Sequence, residues 1–361
     1  MNLLYCHVNN GSDVRVIKVM RTLKKHDKTV HFFGLSVGGF ADEKEEFTIL
    51  EAKYSKKRPS KLDLIRYIAH LYFFIIKKRP KKVVVVNEYL TVVLLPLFKL
   101  MNIKYTVDVY DSLYERFLNK GWKHYIAKLV CKISYSFSEN IIVTDLNRKD
   151  RLFESFSKFN EKVNVVENFP MKMEIDEKLL SEKVKALKAS LEKSSKRSIF
   201  VAGSLSKGRG IISLLEACSS IDNVRIIAAG WVYDDTAELF VENDLVEYIG
   251  VITDQEYLYL ASTVDFIYMY YEPCNQNNIN ASPNKVYDAI LSKTKLLANS
   301  ELTISQWIQD SSIGLIAKYG DKEQLRKNIE SNNLEWSDNI NSENYTWNSI
   351  ENNIIDYYLR K

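Results

Sequence analysis

The sequence predicts an α/β protein built as two Rossmann-like domains, and three observations predict it. Short apolar runs alternate with helix-period segments from the first residues, the alternation breaks at a lysine-rich stretch near the middle, and it then resumes. At 361 residues the chain is too long for one ordinary core and suits two. Its 46% apolar and 27% charged residues are the composition of a globular protein rather than a disordered one.

Leu3 to Val8 reads as a strand, Asp13 to His26 as a helix and Thr29 to Leu35 as the next strand. A helix over about Lys61 to Lys78 leads to the strand Val83 to Val86, a helix over Leu90 to Leu100 and the strand Tyr105 to Val109. Ile141 to Val143 and Val163 to Val166 complete a first sheet. From Met171 to Arg197 the chain is lysine-rich and weakly patterned, which reads as a charged helical linker. A second alternating block follows: strand Ser198 to Ala202, helix Gly210 to Cys218, strands Val224 to Ala229, Val246 to Ile249 and Asp265 to Tyr270, and helix Pro283 to Ser292. In the tail, Trp347, Ile350, Ile354, Ile355 and Tyr358 at helical spacing predict an amphipathic helix that needs a surface to cover. The expected organisation is therefore 1–170 as the first domain, 171–197 as linker, 198–341 as the second domain and 342–361 as a terminal helix.

The formal charge of +4 is small, but Lys56, Lys57 and Arg58, then Lys77, Lys78, Arg79, Lys81 and Lys82, crowd into the first third. With Tyr67, Tyr72, Phe73 and Phe74 interleaved, residues 56–82 suit either weak contact with an anionic membrane or a helix packed on the sheet with solvated lysines. No recognition motif for nucleic acid accompanies the charge, so no nucleic-acid partner is expected. The four cysteines, Cys6, Cys131, Cys218 and Cys274, lack the spacing of a zinc site or a disulfide framework, which points to a reducing compartment. No secretory signal is evident, and the longest apolar stretches are too short or too charged for a membrane span. The expected location is the cytoplasm, free or peripheral on the inner face of the membrane.

Two segments of the second half carry the chemistry. Gly203-Ser204-Leu205-Ser206-Lys207-Gly208-Arg209-Gly210 lies between a strand and a helix, where backbone amides and a helix N-terminus hold anions and Arg209 adds a permanent charge suited to a diphosphate. The plain alternative is an ordinary turn with solvated cations. Asn280-Ala281-Ser282-Pro283-Asn284-Lys285-Val286-Tyr287-Asp288 supplies a second helix start, with Ser282 as expected N-cap and Pro283 in the first turn. Lys285 and Asp288, three apart, share a helix face, so a phosphate-facing cation and a hydroxyl-accepting carboxylate can read adjacent parts of one nucleotide; the alternative is an exposed intrahelical ion pair. In the first half, Asn9-Asn10-Gly11-Ser12 ends the first strand in a small-residue turn able to approach donor phosphates. Asp111 should emerge at the carboxyl end of a buried strand, where it either serves the acceptor or caps the following helix.

The Gly203 to Gly210 loop with its Arg209-Gly210, and Ser282-Pro283-Asn284-Lys285 followed by Tyr287-Asp288, resemble retaining GT-B glycosyltransferases of family 4. Val165 to Pro170 also resembles that family's strand-to-linker passage; the likeness is best over residues 165–300 and architectural before them. The resemblance implies two Rossmann-like domains facing across a cleft, with the C-terminal helix returning to the first. It implies transfer of a sugar, with retention, from a nucleotide diphosphate-sugar to a glycan or lipid-linked acceptor in cell-surface polysaccharide synthesis. The implied catalytic residues are Asp111, Arg209 and Lys285. The implied donor contacts are Gly11, Ser12, Gly203, Ser204, Lys207, Asn280, Ser282, Asn284 and Asp288. Two departures stand out: the family's Glu-x7-Glu pair falls on Asn280 and Asp288, and its Arg and Lys of the first loop fall on Ser204 and Arg209. Asp288 keeps the ribose role, while Lys207 or Lys285 supplies the missing cation. No metal and no cofactor beyond the sugar nucleotide is expected. The competing readings are a sugar-nucleotide 2-epimerase of the same fold and a non-catalytic binding protein.

Overall fold

The computed structural model describes residues 2–11, 13–27, 29–37, 47–54, 59–172, 175–281, 283–331, 335–336 and 340–359. The chain divides into two compact units, Met1–Asn168 with Ile350–Lys361, and Phe169–Ser349.

The first unit runs β1 (Leu3–Cys6), α1 (Val14–His26), β2 (Val30–Ser36), β3 (Phe47–Glu51), α2 (Lys61–Lys78), β4 (Lys82–Val86), α3 (Glu88–Met101), β5 (Lys104–Val109), α4 (Leu113–Phe117), α5 (Trp122–Ser136), β6 (Asn140–Val143), α6 (Leu146–Glu154) and β7 (Val163–Val165). Its sheet has the order β3-β2-β1-β4-β5-β6-β7, parallel throughout. The second unit runs α7 (Glu182–Glu192), β8 (Arg197–Leu205), α8 (Ile211–Cys218), β9 (Val224–Val232), α9 (Asp235–Val241), β10 (Val246–Tyr248), α10 (Asp254–Ala261), β11 (Phe266–Met269), α11 (Gln276–Ile279), α12 (Asn284–Ser292), β12 (Lys295–Asn299), α13 (Ser305–Asp310), β13 (Gly314–Ala317) and α14 (Lys322–Ser331). Its sheet, also parallel, has the order β10-β9-β8-β11-β12-β13. The last helix, α15 (Glu351–Leu359), belongs to the first unit.

Parallel strands need helical crossovers, so they are covered on both faces and read as apolar runs; all five residues of β4 are buried. All strands of a parallel sheet leave at one edge, and the order of connection reverses between β1 and β4 and again between β8 and β11. Loops diverge at such reversals and leave a crevice at the carboxyl ends, which makes the β8/β11 junction the natural ligand position of the second unit.

The expected strands and helices recur within a few residues of their predicted limits, while β3, β12 and β13 and the helices α4, α5, α6, α9, α10, α11, α13 and α14 were not foreseen. The segment 171–197 differs from a linker: α7 buries Val184, Leu187 and Leu191, and the Glu256 carboxylate accepts from the Ser181 amide and hydroxyl. That apolar face and cap tie it to the second unit. The expected single helix over 342–361 is also divided. Trp347 is buried with its amide on the Pro170 carbonyl in the second unit, whereas Ile354 and Tyr358 of α15 are buried in the first, where α15 packs on α1.

A buried polar network explains why α15 docks there. Asp108, fully buried at the end of β5, accepts from the hydroxyls of Tyr5 (2.7 Å) and Tyr358 and pairs with Arg15 at 3.5 Å. Arg15 also donates to the Val166 carbonyl at 2.8 Å. One carboxylate thereby gathers β1, α1, the end of β7 and the terminal helix, and both its oxygens accept from buried donors. Replacing Asp108 by Ala strands the Arg15 guanidinium without its counter-charge, and an expected loss of roughly 3–5 kcal/mol is readable by urea denaturation. Tyr358→Phe removes one charged hydrogen bond and costs about 1.5 kcal/mol. Parent-like stability of the Asp108 variant contradicts this role for the network.

Candidate functional site

The second unit brings three of the sequence-predicted residues together at the carboxyl end of β8. Gly203 lies there with φ of 102°, and a side-chain carbon at that position would stand 3.5 Å from the Lys285 Nζ. The strand is paired in register with β9, Gly203 opposite Gly230. A Cβ on Gly230, whose φ is 122°, would lie 1.9 Å from the Gly203 carbonyl oxygen. Glycine at both positions therefore lets two backbones close on each other and leaves Gly203 open toward the lysine.

Beyond β8 the chain makes a 3-10 turn over Lys207–Arg209 and enters α8 at Gly210, whose φ of 64° sets the left-handed corner. The Tyr268 hydroxyl donates to the Gly210 carbonyl at 2.8 Å and would stand 2.9 Å from any Cβ there, so β11 fixes the start of α8. The loop after β11 fixes the turn itself, because the Glu272 amide donates to the Gly208 carbonyl at 2.8 Å. On its other side the buried Asn299 holds the same loop, accepting from the Tyr271 amide and donating to the Tyr271 carbonyl. Tyr271 is thus a backbone-anchored platform, and the Arg209 guanidinium lies 3.9 Å over its ring centroid.

Helix α12 begins one residue later than expected. Pro283 occupies the N-cap with extended ψ of 134°, Asn284 is the first helical residue and Lys285 the second. Ser282, the expected cap, lies outside the described residues, as does Ser12. Neither α12 nor α8 has an acidic residue in its first turn or a described side-chain cap. By contrast α9 is capped by Asp234, and α10 by Thr253 in a capping box with Glu256. Two helix N-termini that no described side chain caps therefore accompany Arg209 and Lys285.

Lys285 records that environment. Burial and then the Arg209 charge pull its ammonium down from the usual lysine range to about 8, with Asp288, one turn further along α12, opposing them. Asp288 in turn raises the pKa of the neighbouring Tyr257 hydroxyl, which burial already drives up. A half-buried cation held near a second cation favours an anionic occupant, because an anion offsets both charges.

The other expected site residues are distributed as follows. Ser204 is half-buried in β8 opposite Trp231. Lys207 is exposed, and only its backbone is engaged, the amide donating to Asp234 at 2.9 Å, so its side chain does not join the cluster. Asn280 is buried with its Oδ1 accepting from Thr303 at 2.9 Å, a hydrogen bond that ties the end of α11 to the 303 loop. Asn284 presents a buried Oδ1 with no described hydrogen-bond partner at the start of α12.

In the first unit, Gly11 has a packing reason for its identity: a Cβ there would meet Phe32 and Phe47 ring carbons at 2.9 Å. The adjoining N-terminus of α1 is capped by Asp13, whose carboxylate already fills the position an anion would take. Asp111 is exposed at the carboxyl edge of β5 and does not cap α4, whose N-cap is Ser112. Its loop is pinned by Asn87, which accepts from the Tyr110 and Asp111 amides at 2.9 and 3.1 Å, and by Arg148, which donates to the Tyr110 carbonyl. Tyr110 itself points to the buried network, its hydroxyl 2.8 Å from that of Tyr5. Among the described residues no group of three or more His, Cys, Asp or Glu side chains forms a metal-binding cluster.

Sequence reasoning missed Tyr271, Asn299 and Gly230. Each acts through strand neighbours distant in sequence, and the only local signal was the aromatic run Tyr268 to Tyr271 at a strand end.

Comparison with solved structures matches the fold over whole chains. WaaG, a glycosyltransferase involved in lipopolysaccharide biosynthesis, aligns with a TM-score of 0.68 at 12% identity, covering 99% of this chain and all of that one. HepE from Anabaena, solved in complex with UDP-glucose, aligns at 0.66 and 11% identity, covering 99% and 95%. The chain has the GT-B fold. UDP-GlcNAc 2-epimerase from Neisseria meningitidis, solved bound to UDP-GlcNAc, also aligns over the full length of both chains, with a TM-score of 0.58 and 14% identity. No protein-family model matches the sequence, and no curated protein matches it. At these identities the likeness establishes the GT-B architecture, and the side chains at its β8/β11 junction have to speak for themselves.

The close approach of β8 and β9 gives a direct test. Gly230→Ala is expected to destabilise by roughly 3 kcal/mol or more, since both the contact and the positive φ oppose it. Gly250→Ala, at φ of 85° with nothing within 4 Å, carries only the conformational cost of about 1–2 kcal/mol. Urea denaturation of the two variants compares them, and equal losses contradict the close-approach account.

Proposed function

We propose that the chain is a glycosyltransferase that takes a sugar from a nucleotide diphosphate-sugar and transfers it, with retention, to a glycan or lipid-linked acceptor in cell-surface polysaccharide synthesis. The observation that carries this reading is the convergence of Arg209, Lys285 and the starts of α8 and α12, which no described side chain caps, beside Gly203. That arrangement suits a diphosphate, the only part of a sugar nucleotide with several negative oxygens in a small space. The GT-B fold is compatible with it, and the HepE complexes with UDP and UDP-glucose make UDP the first nucleotide to try.

In this reading the diphosphate rests on the Arg209 and Lys285 cations, with Asn284 at the same helix start offering its amide. Asp288 accepts from the ribose hydroxyls. Donor cleavage breaks the bond between the anomeric carbon and the phosphate oxygen, and negative charge grows on the leaving diphosphate. Fixed cations and helix N-termini stabilise that charge more than they stabilise the bound donor, which lowers the barrier without a bound metal. The acceptor hydroxyl oxygen forms the new bond to the anomeric carbon and its proton passes to a phosphate oxygen of the leaving group. No protein nucleophile is needed, so Asn280 in place of a carboxylate is tolerated. Asp111 is assigned to the acceptor side. The reaction belongs to the cytoplasmic side of the membrane.

The epimerase reading rests on the full-length alignment with the 2-epimerases. It predicts an intact donor inverted at C2 with no acceptor requirement, which nuclear magnetic resonance of the donor after incubation distinguishes from transfer.

Calorimetric titration with UDP and GDP tests the donor site. One nucleotide should bind, Arg209→Ala should weaken it by about 10- to 100-fold through loss of a charge-assisted contact, and Asp288→Ala by about tenfold. Binding of either nucleotide that both variants leave untouched, or no binding at all, overturns the site.

A further inference from the structure

We propose that the outward face of the paired helices α3 and α5 in the first unit is a docking surface for an anionic lipid bilayer. The inference stands on that surface alone and does not depend on the sugar-nucleotide reading.

A helix that covers a parallel sheet ordinarily turns its apolar stripe inward and a polar face to solvent. These helices have two apolar stripes. Helix α5 buries Ala127, Cys131 and Tyr135, yet on its other side Trp122, Tyr125, Ile126 and Leu129 follow one another at helical spacing, with Trp122 68% and Tyr125 73% exposed. Helix α3 buries Leu90, Leu94 and Phe98 and turns Tyr89, Val93, Pro96 and Leu100 outward, Leu100 being 85% exposed. The two helices pack side by side, and at their C-terminal ends the Lys99 ammonium sits 3.7 Å over the ring of the exposed Phe137. Two adjacent helices thus each turn an apolar stripe outward, more exposed apolar surface in one place than the scattered exposed leucines every surface has.

The charge around the strip identifies its occupant. Lys99, Lys123, Lys128 and Lys132 are exposed along it, α5 contains no Asp or Glu, and the single acid of α3, Glu88, is buried with its carboxylate accepting from Tyr135 and the Leu113 amide. An apolar strip edged by flexible cations without exposed acids on either helix is the pattern of an interfacial helix, whose lysines reach lipid phosphates while the apolar side enters the acyl boundary. Trp and Tyr at the start of α5 suit the headgroup level, where one end of the ring is apolar and the other wet. A protein partner is less well served, because protein interfaces are depleted in lysine and rich in arginine. Helix α2 beside them continues the pattern: the Tyr72 hydroxyl donates to the Val93 carbonyl of α3, and Leu62, Ile65, Phe73 and Ile76 are exposed. The membrane contact expected from residues 56–82 is thus extended to helices the sequence reading did not consider, while Lys56, Lys57 and Arg58 lie outside the described residues. No described helix is long and apolar enough to cross a membrane, so the contact is with its surface.

Co-sedimentation of the full chain with vesicles tests this. Vesicles containing phosphatidylglycerol should carry the protein down at low salt, less of it at high salt, and phosphatidylcholine vesicles little of it. The combined variant Lys123→Glu, Lys128→Glu, Lys132→Glu should lower partitioning by at least about tenfold. A second variant, Trp122→Ser, Tyr125→Ser, Leu129→Ser, should do the same while the parent's thermal unfolding is retained, since all six side chains are exposed. Equal partitioning on both lipids, or variants that bind as the parent does, overturns the proposal. So does a parent that ignores vesicles but dimerises through a contact the second variant abolishes, which would assign the strip to a second copy of the chain.

Discussion

Like charges repel, and the second unit holds two of them together. Arg209 lies over Tyr271 and Lys285 on the second residue of α12, both on anchored backbone: the 208–210 turn is tied to the β11 loop, and α12 is rooted by buried Val286, Ala289 and Ile290. The cost of that proximity appears as a lysine drawn down to about 8 by burial and by Arg209. Elsewhere the same chain caps helices with acids or hydroxyls, at Asp13, Ser60, Asp145, Asp234 and Thr253. At α8 and α12, as at α3, α4, α5, α7 and α13, no described side chain caps the helix, and at α8 and α12 the open N-terminus lies beside Arg209 and Lys285, where the parallel sheet places its crevice.

The first unit resolves the same problem in the opposite way. One of its buried charges, Arg15, has Asp108 as counter-charge and three tyrosine hydroxyls around the pair, so the charge is paired. Burial also holds the nearby His7 neutral, down to about 4. A buried charge paired with its opposite specifies structure, here the seat of α15, whereas two like charges held near each other favour an anionic ligand. The contrast separates a structural cluster from a binding cluster on physical grounds, although both lie at the carboxyl end of a Rossmann-like sheet.

The fold was largely legible because buried parallel strands are apolar runs, as in Val83 to Val86 or Ile199 to Val201, and because the helices over Asp13 to His26 and Lys61 to Lys78 carry apolar residues at helical spacing. What escaped has a local cause. Strands β12 and β13, Lys295–Asn299 and Gly314–Ala317, are too short for periodicity to separate from a buried helical turn, and β3 is half-exposed. At the candidate site, the positions of Arg209 in a loop after a strand and of Lys285 at the start of a helix were legible because both are features of contiguous sequence. Tyr271, Asn299 and Gly230 were not, since they matter only once strand order brings β11, β12 and β9 to β8. Lys207 looked equivalent to Arg209 in sequence, and only the turn geometry shows which cation faces inward.

The central claim is that an anion completes the Arg209–Lys285 pair, and proton uptake on binding tests it most directly. With its pKa at about 8, Lys285 is partly deprotonated at and above that pH; a diphosphate favours the charged form, so binding must draw in a proton, and affinity must fall as pH rises through 8. Calorimetry of UDP binding near pH 8 in two buffers of different ionisation enthalpy measures the uptake. The account predicts a substantial fraction of a proton per UDP for the parent and none for Lys285→Arg, whose guanidinium is charged throughout. UDP binding without proton uptake, or uptake that survives in Lys285→Arg, would contradict it.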